Sequence, residues 1–450
     1  MPLRLITRAL EQYGTVQTAI IAWEEQARRY NISLSLPLAG SLIEIMEFNE
    51  SKGMADFLDM VEKKYGDKLK YIFQDTVAAR NPWDSLNLHP ASMDQGDLPA
   101  FNVSGENGAR SVRGPALTTE TRQMQSSLFT IDETDAVHDG FSDETERAHA
   151  RMLLLAKGAD VDPVVQAAAA SWHLVKAGVD RALVHGKGSG VVVAVLDTGF
   201  DLSHPNLAPN LWTNTKEVAN CKDDDDNFVQ DDLHGWDFGG TCVSQAEVDK
   251  WKQLMPRAKN NCIFFNTAEL KDCSKRQDND TSREDVDDGH GTHVAGIVAA
   301  TANVDKGVVG AAPSAQLMLL KVFTRLEDKS LIAYVSAIIQ AYAYAYQNGA
   351  NIVVCSFGPK EVPTGPSPDP RISKAWTDWG NYTRMTYEDT MKGFKEKDIL
   401  VVAAAGNEHT DLNAVVNANN SYLPCTLGLL NKAYRDYTLS HPVSYLAQPP

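Results

Sequence analysis

Strand-like and helix-like segments alternate regularly along the chain from about residue 160 onward. Residues 191–197 read VVVAVLD, a continuous apolar run rich in valine, as is typical of a buried parallel strand. Between such runs, apolar residues recur three or four positions apart, as on one face of a helix. The alternation predicts a mainly parallel sheet with helices on both faces. The further strand-like runs are residues 316–323, 351–357 and 398–406, and the helix-like segments are residues 290–301, 330–349 and 385–397.

The N-terminal residues 1–80 carry a different pattern, which predicts a small α+β module. Strand-like runs at 41–48 and 68–75 flank a helix-like segment at 54–66. Residues 1–23 lack the continuous apolar core of a secretory signal and instead favour an amphipathic helix. The protein is therefore expected either not to be exported or to begin upstream of its first methionine.

Composition separates a linker from a second, larger domain. Residues 81–160 are rich in Asn, Ser, Asp, Thr and Gly and show little periodicity, which predicts a linker or processing region. We assign residues 161–450 to one α/β domain with an acidic insert at 220–287. The insert holds four of the six cysteines, at spacings that fit no zinc site, so either two disulfides or free thiols are expected. These cysteines are Cys221, Cys242, Cys262 and Cys273.

The net charge of −17 argues against one class of partner. Phosphate binding requires basic patches on a protein surface, so this acidic balance speaks against a nucleic-acid partner. The sequence also contains no run of about 18 consecutive apolar residues, so no transmembrane segment is expected.

Three polar residues are expected to converge at one edge of the predicted sheet. Asp197 ends the first strand, Asn407 follows the last one, and His290 begins a helix. Ligands of open parallel sheets bind at the carboxyl ends of the strands. A carboxylate beside an imidazole fixes its tautomer, so the imidazole can accept a proton from a hydroxyl nucleophile. An asparagine amide can donate a hydrogen bond to the oxyanion that then forms.

Five blocks of the sequence resemble those of the subtilisin-like serine protease family, and they occur in the family's order. The resemblance covers roughly residues 162–410. It implies a subtilisin-like α/β fold, preceded by a small propeptide-like α+β module. It also implies a serine endopeptidase that hydrolyses peptide bonds of protein or peptide substrates and is secreted or held in the secretory pathway. The blocks are AVLDTGFDLSHPNL (194–207), DGHGTHVAGIVAA (288–300), GVVGAAPSAQLMLLKVF (307–323), NIVVCSFG (351–358) and VVAAAGNE (401–408).

The resemblance assigns roles to single residues of these blocks. It implies that Asp197 is the triad aspartate, His290 the general base and Asn407 the oxyanion donor. The small residues Gly291 and Gly296 are expected to let the histidine helix approach the sheet closely. The residues implied to bind the substrate backbone or to wall its first specificity pocket are Ser356, Phe357, Gly358, Ala404 and Gly406.

The segment 223–238, DDDDNFVQDDLHGWDF, offers many oxygen atoms within a short stretch. Hard cations such as Ca²⁺ are held by several carboxylate and carbonyl oxygens. Some subtilisin-like proteases carry a similar segment that is associated with calcium, but with glycine where this chain has Phe228. A bulky residue does not easily adopt a positive φ, so a different turn is expected, and a solvated acidic loop without metal is the alternative. The expected ligands are Asp223, Asp225, Asn227, Asp231 and Asp232.

By the same resemblance, residues 1–80 are expected to act as a propeptide. Such a module assists folding of the protease domain and blocks its active site as an intramolecular inhibitor. Processing is then expected within residues 81–160. A flanking domain without this role is the alternative.

The family's nucleophile lies in a G-T-S-x-x-x-P motif, and no G-T-S occurs in this sequence. Ser440 and Ser444 do not lie in such a motif, so neither is expected to be the nucleophile. We therefore expect a C-terminally incomplete copy of an active endopeptidase. The alternatives are a catalytically inactive pseudoprotease that binds peptides, and an inhibitor or folding partner that acts through the N-terminal module.

Overall fold

The structure is a computed structural model of the 450-residue chain. Within the described residues the chain forms a four-stranded N-terminal antiparallel sheet, a five-stranded parallel sheet and a three-stranded antiparallel sheet. No helix in this described part is both long and apolar enough to cross a membrane. The described residues are 3–75, 77–80, 162–169, 171–220, 222–227, 229–240, 281, 289–301, 308–325, 330–358 and 370–404.

The N-terminal module is a four-stranded antiparallel sheet with helices packed on one face. The strand order is β2 (Ile32–Pro37), β3 (Ile43–Phe48), β1 (Arg4–Ala9) and β4 (Leu69–Gln74). Apolar residues at helical spacing bury one side of the longest helix, α3 (Ser51–Tyr65), against the sheet. This arrangement agrees with the α+β module that the sequence predicts. The other helices of the module are α1 (Val16–Ala19) and α2 (Trp23–Arg29).

The amphipathic helix predicted over residues 1–23 is wrong for its first part, because Arg4–Ala9 forms β1. All six residues of this strand are buried, since it lies inside the module sheet with apolar layers on both faces. Leu5 packs in the same cluster as α3, whereas Ile6 packs in the cluster that contains the second domain. Burial on both faces removes the polar–apolar alternation that marks a strand in a sequence.

The second domain is built around five parallel strands in the order β12 (Leu400–Ala403), β11 (Ile352–Cys355), β6 (Val192–Asp197), β8 (Gln316–Lys321) and β7 (Gly235–Asp237). Before it lies β5 (Val77–Arg80), and its described part begins with α4 (Pro163–Ala169), α5 (Trp172–Lys176) and α6 (Val179–Ala182). The further elements are α7 (His290–Ala299), β9 (Phe323–Arg325), β10 (Leu331–Tyr334), α8 (Val335–Gln347) and α9 (Pro370–Glu396).

Helices cover both faces of this parallel sheet. Alternate residues of a strand point to opposite faces, so Val193 and Leu319 pack with α7, whereas Ala194 and Leu320 pack with α8. The strands β6, β8, β11 and β12 fall in the four runs that the sequence marks as strands. The predicted fold class, a mainly parallel sheet with helices on both faces, is therefore confirmed.

A three-stranded antiparallel sheet in the order β5-β10-β9 continues from the carboxyl end of β8. The prediction of one helix over residues 330–349 is wrong for Leu331–Tyr334, which form β10, while α8 occupies Val335–Gln347. The four residues of β10 are apolar and continue the helical spacing of α8. Their strand conformation is fixed instead by pairing with β9 and with β5, which lies far earlier in the chain.

Candidate active site

The structure brings Asp197 and His290 together at the carboxyl edge of the parallel sheet. Asp197 is the last residue of β6 and is fully buried, and His290 is the first residue of α7. The Nδ1 atom of His290 lies 2.7 Å from Oδ1 of Asp197. The imidazole keeps 12% of its side-chain surface exposed, so a ligand at this edge can reach it.

The carboxylate determines which nitrogen of the imidazole carries the proton. An ionised carboxylate only accepts hydrogen bonds, so Nδ1 of His290 must donate to Asp197. The other nitrogen, Nε2, is then free of a proton and can accept one. The backbone N–H of Thr198 also donates to Oδ1 of Asp197, at 2.7 Å, which holds the carboxylate in place. The pair is thus arranged to act as a general base with a fixed tautomer.

A glycine makes this close approach of helix and strand possible. A Cβ atom on Gly291 would lie 2.3 Å from the carbonyl oxygen of Gly199 and 3.1 Å from Cβ of Asp197. Any side chain at this position would therefore push α7 away from β6. The role expected for Gly296 is wrong, because a Cβ atom there meets nothing within 4 Å.

The residues expected to bind substrate follow two neighbouring strands at the same edge. Ser356, Phe357 and Gly358 continue from β11, and Ala404 continues from β12. The ring of Phe357 is buried, with its centroid 5.3 Å from that of Phe323. Ser356 and Gly358 are half-buried and Ala404 is exposed, so these three residues can contact a ligand. Gly406 and Asn407, also expected at this edge, lie outside the described residues.

The one cysteine among the described residues is not a competing nucleophile. Cys355 ends β11 and is fully buried, with Sγ 3.3 Å from the hydroxyl of Tyr342. Burial raises the pKa of the Cys355 thiol to about 12. A neutral, buried thiol is unreactive, so this side chain serves as a packing residue of the core.

Strand β5, which follows the N-terminal module, occupies a sheet edge beside this rim. It pairs antiparallel with β10, where Arg80 lies opposite Ile332 and Ala79 lies opposite Ala333. On its other side β10 pairs with β9, which follows β8 directly. β5 thus adds a strand to the edge of β10, as an extended peptide adds to a free sheet edge.

Ion pairs and close backbone contacts hold the module against the second domain. Asp389 of α9 is buried and pairs with Arg8 of β1 (Oδ2 to Nε, 3.1 Å) and with Lys70 of β4 (Oδ1 to Nζ, 2.7 Å). A Cβ atom on Gly393 would lie 2.1 Å from the carbonyl oxygen of Gly40, so α9 touches the module through its backbone. Apolar residues of the module sheet belong to the same cluster as those of α8 and α9, so module and domain share a core.

The acidic loop gathers three carboxylates, one of which the sequence analysis missed. Glu217, Asp223 and Asp225 each place one oxygen within 4.8 Å of the others. Oxygens that bind Ca²⁺ lie about 2.3–2.6 Å from the ion, so this spacing allows all three to bind one ion. Glu217 lies before the aspartate run, and no acidic pattern marks it. Its carboxylate also accepts backbone hydrogen bonds from Asp224 and Asp231, which close the loop.

Asp231 and Asp232 lie outside this group of three carboxylates. Oδ2 of Asp232 accepts hydrogen bonds from the amides of Asn214 at 3.2 Å and Asn227 at 3.1 Å, and from the hydroxyl of Tyr344. Because Tyr344 belongs to α8, these contacts tie the acidic loop to the core of the domain.

The loop is electrostatically suited to a cation. Burial raises the pKa of Glu217 and of Asp232, because desolvation disfavours the charged carboxylates, and the nearby Asp225 repels both. One oxygen of Asp225 and one of Asp232 are buried and have no hydrogen-bond partner within the described part of the chain. A bound cation would relieve both the repulsion and the lost hydration. The all-oxygen donor set is the kind that Ca²⁺ prefers.

Known proteins resemble this chain in sequence over about half of its length, and one solved structure aligns with most of it. The family model described as "Subtilase family" matches residues 188–430. The PI-type proteinase of Lactococcus lactis subsp. cremoris is 29% identical over 241 residues, which cover 52% of this chain and 10% of that protein. An intracellular serine protease of Paenibacillus polymyxa is 28% identical over 222 residues, which cover 49% of this chain and 43% of that protein. The epidermin leader peptide processing serine protease of Staphylococcus aureus aligns over 93% of this chain and 63% of that chain, with a TM-score of 0.41 and 14% identity.

The chain spans less than half the length of both of these curated relatives. The family match nevertheless covers more than half of the chain, and it includes Asp197, His290 and the whole acidic loop. The chain belongs to the subtilase family.

Proposed function

We propose that this chain carries the acid–base machinery of a serine endopeptidase that hydrolyses peptide bonds in protein or peptide substrates. The observation that carries the proposal is the 2.7 Å contact between Nδ1 of His290 and Oδ1 of the buried Asp197. A carboxylate–imidazole pair of this geometry activates a hydroxyl nucleophile. Membership of the subtilase family supports the same reaction.

In the proposed mechanism, Nε2 of His290 takes the proton from the serine hydroxyl as its oxygen attacks the carbonyl carbon of the substrate. Asp197 stabilises the imidazolium that forms, and does not itself take the proton. Asn407 donates a hydrogen bond to the oxyanion, and His290 then gives its proton to the leaving amine. The substrate backbone runs along Ser356–Gly358 as an added strand.

The serine nucleophile is proposed to come from a G-T-S-x-x-x-P segment, which the 450 residues do not contain. The second candidate is a pseudoprotease, which binds peptides without cutting them and has no such serine. A fluorophosphonate probe, which labels activated serines, separates the two. The 450-residue chain is expected to stay unlabelled, and labelling of this chain that depends on His290 would contradict the absence of a nucleophile.

The second arm of the test uses the chain extended through the reading frame that follows Pro450. If that frame supplies the motif, we expect stoichiometric labelling of its serine. The labelling should be lost in the His290→Ala and Asp197→Asn variants of the same extended chain. An extended chain that contains the motif but is not labelled would favour the pseudoprotease.

The N-terminal module is proposed to act as an intramolecular inhibitor, in the manner of a zymogen. Support comes from β5, which pairs with one side of β10, while β9 on the other side of β10 contacts the expected substrate segment through Phe323 and Phe357. Further support comes from Asp389, which is shared between Arg8 and Lys70 of the module. An Ala79→Pro substitution would prevent regular pairing of β5, since proline lacks the N–H group.

Hydrogen–deuterium exchange on the intact chain tests this contact. In the Ala79→Pro variant, we expect faster exchange in β10 than in the parent chain, with unchanged exchange in β6. An Ala100→Pro substitution in the linker serves as the control and is expected to leave β10 protected. Equal protection of β10 in the parent and in Ala79→Pro would contradict a blocking role for β5.

Calcium is proposed as a structural cofactor of the acidic loop, with Glu217, Asp223 and Asp225 as ligands. When bound, it would neutralise the crowded carboxylates and hold the loop closed. Calcium at 100 times its Kd would stabilise the fold by about 2.7 kcal/mol, visible as a raised Tm. The Asp225→Asn variant should lose this response, while Asp59→Asn, at an exposed site in α3, should keep it. A parent chain whose Tm does not respond to calcium would contradict the proposal.

A further inference from the structure

Three ionisable side chains stand in a row at the carboxyl ends of adjacent strands. In the register of the parallel sheet, Lys321 of β8 lies opposite Asp197 of β6 on one side and opposite Asp237 of β7 on the other. All three are buried, with 0% of Asp197, 1% of Lys321 and 0% of Asp237 exposed. Burying a charge destabilises a fold unless the charge is paired. We therefore expect these three side chains to have a functional or structural role.

All three side chains lie on the face of the sheet that α7 covers. Residues two apart on a strand share a face, and Val195 and Leu319, two residues before Asp197 and Lys321, pack with α7. Neighbouring strands are about 4.8 Å apart, so the side chains of Asp197 and Lys321 are direct neighbours. Nζ of Lys321 lies 2.9 Å from Oδ2 of Asp237.

The far end of the row is fixed by backbone hydrogen bonds. Oδ1 of Asp237 accepts the N–H groups of Gly239 and Gly240, each at 2.9 Å. The near end is His290, whose Nδ1 contacts Asp197. Along the series His290, Asp197, Lys321 and Asp237, the charges therefore alternate in sign whenever the imidazole is protonated.

The charges of this row favour protonation of His290. Two carboxylates and one ammonium give Asp197, Lys321 and Asp237 a net charge of −1 while the imidazole is neutral. Protonation of His290 makes the whole row neutral. In a buried, weakly screened setting a neutral row is more stable than a charged one.

We propose that Lys321 and Asp237 are positioning residues that extend the Asp197–His290 pair into a four-membered charge row. Lys321, in the strand next to β6, adds a positive charge beside the Asp197 carboxylate. Asp237 offsets the charge of Lys321, so that the ammonium does not oppose the imidazolium that forms when His290 accepts a proton.

Other ionisable groups also face this region from the packed elements. Cys355 of β11 is protonated at physiological pH, because burial raises the pKa of its thiol. Asp201 and His204 follow β6, and Asp201 is joined to α7 through its backbone N–H and the hydroxyl of Thr292. His293 is on α7 itself and is exposed. None of these groups pairs in register with Lys321 or Asp237. We therefore expect their charges to be the same in the parent chain and in the Asp237→Asn variant.

The proposal is tested by measuring the pKa of His290, through an NMR titration of the histidine ring in the full chain. In the Asp237→Asn variant we expect this pKa to be lower than in the parent by about 0.5 to 1 pH unit, for one charge removed at about 12 Å in a partly polarisable interior. Glu47→Gln, which breaks the partly buried ion pair with Arg4 in the N-terminal module, is the matched control and should leave the pKa of His290 unchanged. The His290→Gln variant assigns the signal.

An unchanged pKa of His290 in a folded Asp237→Asn variant would overturn the proposal, since a merely structural role would lower stability without moving the titration. If Asp237→Asn does not fold, the proposal is tested instead on Lys321 of the parent chain. The Cε resonance of Lys321 should then change its chemical shift with the same midpoint pH as His290. A Cε chemical shift that stays constant while His290 titrates would also overturn the proposal.

The catalytic meaning of the row rests on the proposed role of His290 as general base. The titration itself requires no cleavage of substrate. Failure of the labelling experiment would therefore leave the row intact, and failure of the titration would leave the endopeptidase proposal intact.

Discussion

Asp75, at the end of the N-terminal module, accepts hydrogen bonds from both the backbone N–H and the hydroxyl of Ser336 in the first turn of α8. The N–H to Oδ1 distance is 3.0 Å, and Asp75 is fully buried. The residue that precedes α8, Tyr334, provides no side-chain cap of its own. The module thus supplies the capping group for a helix of the second domain, and its negative charge suits the positive end of the helix.

Loss of this cap should destabilise the contact between module and domain. We expect Asp75→Ala to lower the free energy of unfolding by about 1–3 kcal/mol, because a charged hydrogen bond and a helix cap disappear together. Urea unfolding of the full chain measures the change. Asp59→Ala, at an exposed site in α3, should change it by less than about 0.5 kcal/mol. A loss of the same size in both variants would contradict the capping role.

The buried charge cluster at Asp389 should matter more than an exposed pair on the same helix. Asp389→Asn leaves Arg8 and Lys70 without their shared carboxylate and should cost about 2–5 kcal/mol. The control on α9 is Glu388→Gln, which breaks its partly exposed pair with Arg384 and should cost under about 1 kcal/mol. Thermal and urea unfolding of the two variants give the comparison. Similar costs for both would show that the cluster does not anchor the module.

Two glycines in α7 should respond in opposite directions to alanine. Gly291→Ala places a Cβ atom 2.3 Å from the carbonyl oxygen of Gly199, so we expect a loss of about 1–3 kcal/mol and a disturbed Asp197–His290 contact. Gly296→Ala meets nothing within 4 Å and should stabilise the helix by about 0.5–1 kcal/mol. Unfolding measurements on both variants test the pair. Equal tolerance of alanine at the two positions would contradict the packing described for α7.

The buried Glu44 gives the module a defined pH dependence. Burial raises the pKa of Glu44, although its carboxylate accepts the backbone N–H of Val16. A carboxyl whose pKa is higher in the fold contributes stability below its unfolded pKa of about 4.3, and this contribution is lost as pH rises through the folded pKa. The glutamine of Glu44→Gln cannot ionise, so this variant should not lose stability in this way as the pH rises.

The stability of Glu44→Gln relative to the parent should therefore improve between pH 4 and pH 7. Urea unfolding at the two pH values measures the difference. Glu62→Gln, at an exposed site of α3, is the control and should stay close to the parent at both values. A relative stability that falls as pH rises would contradict the buried, desolvated environment of Glu44.

Local patterns were sufficient to predict the strand ends and helix start that carry Asp197 and His290. The apolar run at 191–197 predicts a strand, and the glycine-flanked histidine at 289–291 predicts the start of a helix, each from its local sequence alone. The family resemblance then assigned the two elements to one site. The parallel sheet followed from the alternation, because buried parallel strands are apolar throughout.

Features that depend on distant partners could not be predicted in this way. β1 is buried by layers on both faces, β10 is a strand because β5 pairs with it, and Glu217 joins the acidic loop only through the fold. The row through Lys321 and Asp237 was equally hidden, because register between strands is set by tertiary packing and not by either strand alone.

¹⁵N NMR of the His290 imidazole, at a pH where the ring is neutral, tests whether Asp197 holds this histidine as a general base. We expect Nδ1 of His290 to carry the proton and to donate it in a hydrogen bond to Asp197, with Nε2 unprotonated. The Asp197→Asn variant should lose this preference, since its amide can donate to Nδ1 instead. If His290 of the parent chain carries its proton on Nε2, and Asp197→Asn changes nothing, then Asp197 does not hold His290 as a general base.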